Sequence, residues 1–198
     1  MGASGVETIT RGEPVRREPL VANSVVAMIL FIGTEIMLFA GLISAHVIYM
    51  SDRIGELWPP AGQPRLPFEE TAINTAALMA SGVVLVLSRF AYADNPRRAL
   101  VPVGIAVLLG SIFVGFQGVE WLGLIGEGLT LWSSTYGAFF YLIVGAHALH
   151  AVVAILCLAW AWTRLYRGTL IKAHFDSVQI FWYFVVLIWP VIFLQVYS

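Results

Sequence analysis

The chain has 198 residues, 59% hydrophobic and 12% charged, with a formal net charge of −1 and a mean hydropathy of +0.83. A soluble domain carries about 25% charged residues, so this chain lacks the polar surface that a water-facing fold of its mass requires, and its charge supplies no basic footprint for nucleic acid as a partner. The single cysteine, Cys157, excludes an internal disulfide framework and a thiolate metal cluster, which leaves a polytopic membrane protein of at most about seven or eight spans.

Residues 1–20 mix Glu7, Glu13 and Glu18 with Arg11, Arg16 and Arg17, and include Pro14 and Pro19. A secretory signal needs a basic start followed by an apolar core of about 7–15 residues. Here acidic and basic residues alternate up to the first apolar run, so the segment reads as a flexible tail that is not cleaved. Residues 21–198 read as one domain. Its first span covers about 23–50 and contains one charged residue, Glu35. A loop with Trp58, Pro59, Pro60, Gly62, Pro64 and Pro67 follows, too rich in proline to be helical. The second span covers about 71–90, and Asn95-Pro96 marks a turn. The third covers about 99–125, with Pro102 in its first turn, where a helix tolerates proline, and Glu120 inside its far end. Gly126, Glu127 and Gly128 break the chain again. The fourth span, about 133–163, is long enough to tilt or protrude, and the fifth, about 174–197, carries Pro190 near its end. The apolar runs are continuous rather than alternating, which excludes a β-barrel. The fold class is therefore an all-α bundle of five transmembrane helices.

Lysine and arginine in short loops set orientation. The tail, the second-to-third loop (Arg89, Arg97, Arg98) and the fourth-to-fifth loop (Arg164, Arg167, Lys172) hold nine of the eleven basic residues; the opposite side holds Arg53 and Arg65. With five spans, the N-terminus is expected in the cytoplasm and the C-terminus outside.

An ionisable group at bilayer depth costs about 2.5–3.5 kcal/mol on insertion scales and so marks a candidate site. Glu35 and His147 lie midway along the first and fourth spans, at nearly the same depth for a rise of about 1.5 Å per residue. His150 follows His147 by three positions and shares its face. Glu120 lies some 7 Å below the outer boundary, with Gln117 one turn deeper. Glu35, His147, His150, Gln117 and Glu120 are thus expected as a buried polar cluster. One reading has it conduct protons, tune a neighbouring subunit or anchor a lipid; the other has these residues satisfy one another and fix helix packing.

Redox and hydrolytic chemistry find no constellation. His147 and His150 are neighbours on one helix rather than opposed haem ligands, and His46 and His174 fall near opposite membrane faces. There is no Cys-x₃-Cys copper pattern, and a lone His-x₂-His lacks the four ligands of structural zinc. Asp52, Asp94 and Asp176 lie in loops or at helix ends, and Ser133-Ser134 begin a span near the surface, which removes the intramembrane-protease reading. No catalytic residue and no metal ligand is expected.

Small residues recur on the second and third spans (Ala76, Ala77, Ala80, Ser81, Gly82; Gly104, Gly110, Gly115, Gly118), where backbones or acyl chains can approach closely. Arg89, Arg97, Arg98, Arg164 and Arg167, with Trp160, Trp162, Tyr92 and Tyr166, border the cytoplasmic interface. They are candidates for phospholipid headgroups, since arginine binds phosphate oxygens by charge-assisted hydrogen bonds. An ordinary positive-inside pattern with an aromatic belt would look the same.

Several segments resemble subunit III of the haem-copper oxidases, the cytochrome c and quinol oxidases, in the shorter five-helix bacterial form. They are Phe31-Ile32-Gly33-Thr34-Glu35-Ile36-Met37-Leu38-Phe39, Trp58-Pro59-Pro60-Ala61-Gly62, Asn74-Thr75, Ser81-Gly82 and Phe116-Gln117-Gly118-Val119-Glu120-Trp121. Tyr136-Gly137, Phe140 and Gly145-Ala146-His147-Ala148-Leu149-His150 complete the set, in order, over roughly residues 25–198. The resemblance implies a non-catalytic subunit of a proton-pumping oxidase that reduces oxygen to water in the bacterial cytoplasmic membrane. It implies no cofactor in this chain beyond bound phospholipid. Haem and copper would sit in subunit I, the direct partner, beside subunit II and small oxidase subunits. This chain would stabilise subunit I and its proton uptake.

One departure stands out. The family's last helix usually carries Trp-His-Phe-Val-Asp, whereas this chain reads Trp182-Tyr183-Phe184-Val185-Val186. A polar network through that helix is then missing or rebuilt. The divergence fits an oxidase docked onto another respiratory complex in a supercomplex, and equally a subunit-III-like accessory or maturation protein of nitric oxide reductase. Another small membrane protein without a redox cofactor, such as a channel, is the remaining alternative.

The charge asymmetry is directly testable: a reporter active only in the cytoplasm should be silent when fused after Ser198, and an active fusion there reverses the topology.

Overall fold

The computed structural model describes residues 22–52, 64 and 66–197. The whole N-terminal tail, residues 1–20, the Trp58–Gly62 segment, Arg53 and Arg65 lie outside the described residues. Five helices are each long and apolar enough to cross a membrane: α1 (Asn23–Ser51), α2 (Phe68–Asp94), α3 (Leu100–Gly126), α4 (Thr135–Tyr166) and α5 (Lys172–Val196). A short 3₁₀ turn, Pro96–Ala99, precedes α3, and there is no strand among the described residues. The helices extend up to four residues past the expected ends because the charge-free windows stop where the chain becomes polar, not where it stops being helical. Glu69 and Glu70 occupy the first turn of α2, where carboxylates favour the positive end of the helix dipole. The Lys172–Asp176 pair, at 2.8 Å, supports the first turns of α5, which begins two residues earlier than expected.

The boundaries follow local chemistry. Ser134 caps α4 by accepting from the Gly137 N–H at 3.0 Å, and the Asn95 side chain accepts from the Arg97 N–H at 3.0 Å to start the 3₁₀ turn. α3 and α4 end alike: Leu129 N donates to Leu124 O at 2.9 Å, and Thr169 N to Arg164 O at 2.9 Å. Each closure needs a left-handed residue, supplied by Gly128 (φ +91°) and Gly168 (φ +68°).

By backbone proximity α2 lies along α3, and α5 lies against α1, α2 and α4; α1 touches only α4 and α5. Among its side chains α1 buries Phe39 and His46, whereas α5 buries Phe175, Trp182, Trp189 and many others. Helix α5 is the axis of the bundle.

A ladder of polar contacts ties α5 to α2. Trp189 Nε1 donates to Thr75 Oγ1 at 2.8 Å, Trp182 Nε1 to Ser81 Oγ at 3.2 Å, and Gln179 Nε2 to Ser88 Oγ at 3.1 Å. Each acceptor hydroxyl donates to a carbonyl of its own helix: Thr75 to Thr71 O at 2.7 Å, Ser81 to Leu78 O and Ser88 to Leu85 O, both at 2.6 Å. Its lone pairs therefore stay free for α5. The polar contacts of α5 with α2 thus run through indole and amide donors, and Tyr183 and Val186 take no part in them. Val186 itself packs on Gly82, where an added Cβ would lie 2.9 Å from Val186 Cγ1.

The small residues of α2 and α3 thus serve helix packing at three positions. Gly82 receives Val186, Gly104 receives Trp162, and at Gly110 an added Cβ would lie 2.5 Å from Trp182 Cη2. Gly115 and Gly118 meet nothing within 4 Å. Gly110→Ala should accordingly destabilise the purified chain by roughly 1–3 kcal/mol through overpacking against a fully buried indole. Thermal unfolding of this variant beside Gly115→Ala checks it: Gly115→Ala should unfold at or slightly above the wild-type temperature.

Candidate functional site

The five polar residues singled out in the membrane separate into two groups and one residue between them. Glu35 on α1 faces His150 on α4, with His150 Nε2 3.0 Å from Glu35 Oε2 and both side chains largely buried. Phe39, one turn along α1, lies edge-on to His150 (centroids 5.6 Å apart) and to His147 (6.5 Å). The contact is electrostatic, since Glu35 Oε2 makes no aligned hydrogen bond. His150 Nδ1 lies 2.7 Å from the Ala146 carbonyl, which holds the ring with Nε2 toward α1.

The second group joins α2, α3 and the end of α5. Thr71 Oγ1 donates to Glu120 Oε2 at 2.9 Å, Gln117 Nε2 to the same oxygen at 2.7 Å, and Gln117 Nε2 also to Tyr197 Oη at 3.1 Å. Both amide hydrogens of Gln117 are used, and its Oε1 has no partner. Glu120 also borders a groove of about 710 Å³ between α2 and α3, with Glu70 and Glu127 along it. Asn74 closes the same helix pair by donating to Phe113 O at 3.0 Å. Thr71 and Tyr197 were not singled out from the sequence, and Asn74 entered only through the Asn74-Thr75 resemblance. Thr71 and Tyr197 sit at span ends, where polar residues are ordinary, and only the packing shows that they point inward.

His147, 1% exposed, belongs to neither group. It stacks on Trp189 with centroids 4.8 Å apart, stands edge-on to Phe113 at 6.4 Å, and has no hydrogen-bond partner at either ring nitrogen. His46 packs on Phe139 at 5.5 Å, and His174 lies 6.0 Å from Trp160. Among the described residues, no three His, Cys, Asp or Glu side chains are placed to hold a metal ion.

The residues singled out for headgroups lie at one end of the bundle. Arg89, Arg97, Arg98, Arg164 and Arg167 are exposed. Arg98 pairs with Asp94, and Arg164 lies over the Trp160 ring at 5.5 Å. Trp162 Nε1 donates to Leu100 O at 3.0 Å, joining α4 to α3, and stacks on Tyr166 at 6.3 Å. Together with Val101, Gly104, Ile105 and Leu108 these rings line an apolar groove of about 310 Å³.

The family model for cytochrome c oxidase subunit III matches residues 17–198. The cytochrome c oxidase subunit 3 of Arabidopsis thaliana is 33% identical over 177 residues, covering 85% of this chain and 66% of the relative. That of Pelomedusa subrufa is 30% identical over 188 residues, covering 90% and 71%, and that of Prototheca wickerhamii is 32% identical over 178 residues, covering 86% and 67%. The chain spans 66% of the length of the Arabidopsis relative, just under two thirds.

The Glu35–His150 contact predicts an order of variants. Glu35→Ala strands His150, whereas Glu35→Gln retains hydrogen-bonding capacity toward Nε2. Thermal unfolding should show the alanine variant the weaker, by about 1–3 kcal/mol for a buried polar group left without its partner. Equal losses would mean that the carboxylate charge itself is required.

Proposed function

The chain belongs to the cytochrome c oxidase subunit III family, and from that premise we propose that it is the non-catalytic, lipid-binding subunit III of a respiratory haem-copper terminal oxidase. The carrying observation is the match over residues 17–198, which takes in all five helices and both groups of buried polar residues. The chemistry of those groups agrees with a structural role. Glu35 lies beside His150 of another helix, and Glu120 accepts from Thr71 of another helix and from Gln117 of its own.

In this reading haem and copper are held by subunit I, which this chain contacts directly, with subunit II and small subunits alongside. Oxygen is reduced to water there with proton pumping, and this chain steadies subunit I and its proton uptake. The outward faces of α1 and α3 supply apolar surface for partner helices or lipid: Met37, Ile48, Val101 and Leu122 are all more than half exposed. The membrane is the bacterial cytoplasmic membrane, with the N-terminus inside, as the nine-to-two basic asymmetry supports.

Phospholipid fits the basic end of the bundle. An acyl chain would lie in the groove lined by Val101, Gly104, Leu108 and Trp162, its phosphate at Arg97, Arg98, Arg164 or Arg167. Tyr166, 74% exposed, offers a ring at headgroup level, and Trp160 and Trp162 stand on the same terminal turns.

A tag on this chain, purified in mild detergent, should bring down haem and copper in the absorbance spectrum and metal analysis. The same preparation in native mass spectrometry should retain phospholipid. A haem-free monomer would remove the oxidase reading, and haem with non-haem iron instead of copper would move the chain to a nitric oxide reductase.

A further inference from the structure

The groove between α2 and α3 changes character along its length. At the end of the bundle away from the arginines it is bordered by Glu70, Glu120 and Glu127; toward the middle its walls are Ile73, Ala77, Ile112 and Phe116. Thr71 Oγ1 reaches Glu120 Oε2 at 2.9 Å, so Glu70 and Glu120 stand at one level, and Glu127 lies about 10 Å further out for a rise of about 1.5 Å per residue. By the same rise the apolar stretch from Glu120 to Ile112 runs about 12 Å. Glu70 and Glu127 are exposed and Glu120 is half-buried. Thr71 and Gln117 both donate to Oε2 of Glu120, and among the described residues no Lys, Arg or His pairs with any of the three carboxylates.

Charge complementarity selects the occupant. It needs an apolar limb for the groove and a cationic head that donates hydrogen bonds to carboxylates. The volume of about 710 Å³ lies within the roughly 300–1,000 Å³ of small-molecule sites, which suits a lipid. An anionic headgroup would be repelled by three carboxylates, and a quaternary ammonium brings charge without an N–H. A primary ammonium brings both charge and donors. We propose that this groove binds an aminophospholipid of the phosphatidylethanolamine class, its ammonium at Glu70 and Glu120 and one acyl chain along Ile73, Ala77 and Phe116. The attached phosphate falls at the first turn of α2, where backbone N–H groups have no partner within the helix.

Such a lipid neutralises carboxylates at a level where unpaired charge is costly, and it covers Ile73 and Phe116, which are 76% and 63% exposed. The site stands at the opposite end of the bundle from the arginine groove and selects the opposite headgroup charge. It depends neither on that groove nor on the oxidase assignment.

Native mass spectrometry of the preparation purified by a tag on this chain tests it, with dioleoyl phosphatidylethanolamine, phosphatidylcholine or phosphatidylglycerol added. The wild type should hold one phosphatidylethanolamine roughly tenfold more tightly than phosphatidylcholine, the factor that about 1.4 kcal/mol gives. Glu70→Gln, which removes charge from an exposed side chain at constant size, should cut that preference severalfold. Gly123→Leu, in the groove wall where an added Cβ meets nothing within 4 Å, should abolish it; Gly115→Leu, equally open but outside the groove, should keep it. Arg97→Gln should also keep it, which separates this groove from the arginine end. Equal retention of the three lipids by the wild type, an unchanged preference in Glu70→Gln or Gly123→Leu, or a preference lost in Arg97→Gln overturns the proposal and leaves the haem assay standing. A density map of the wild-type complex is the second arm and needs no variant to fold. Lipid density with its head at Glu70 and Glu120 supports the proposal, and a partner helix seated in the groove overturns it.

Discussion

In a bilayer an indole N–H that finds no acceptor in the protein has no water to turn to, and apolar surface gives helices little reason to prefer one another over lipid. Much of this bundle follows from how that constraint is met on α5. Trp189, Trp182 and Gln179 each require an acceptor, and α2 answers with Thr75, Ser81 and Ser88 at matching heights. Since each hydroxyl already donates to its own helix, it can meet α5 only as an acceptor. The pairing therefore has one direction. It also sets register, because sliding α5 by a turn would strand both tryptophans.

Close approach makes the ladder possible. An indole is wide, and for Trp182 to reach Ser81 the neighbouring helix must give way, which Gly110 on α3 does. Gly82 admits Val186 on the adjoining turn. Tyr183 and Val186 take no part in the ladder, whose donors are other side chains of α5.

The five spans were legible because each is a long apolar run with polar punctuation, and the ends were missed where Glu69, Glu70 or Lys172 are helical yet charged. The site was legible in depth but not in rotation. Counting residues places Glu35, His147 and His150 near one level; which histidine faces α1 depends on how α4 turns about its axis, and tertiary packing decides that. It turns His150 to Glu35 and His147 onto Trp189. The stripe of small residues was visible too, but its partners were not. Nothing local in Gly110 announces Trp182, 72 positions along the chain by their numbers. The grooves near Trp162 and Glu120 arise from surfaces of two helices and have no sequence signature at all.

The position of α1 at the edge of the bundle bears on the order of assembly. It touches only α4 and α5, the last two helices to be made. The partner of Glu35 lies roughly 115 residues downstream, which at ribosomal rates of about 5–20 residues per second means a wait on the order of 6–23 s. For that interval the first span must reside in the membrane with a carboxyl group and no imidazole. A nascent helix in that position keeps the group tolerable by protonation, by tilting it toward the surface, or by borrowing a donor from the insertion machinery. The pairing of Glu35 thus waits for α4, and α1 is held by the two late helices α4 and α5 rather than by early neighbours.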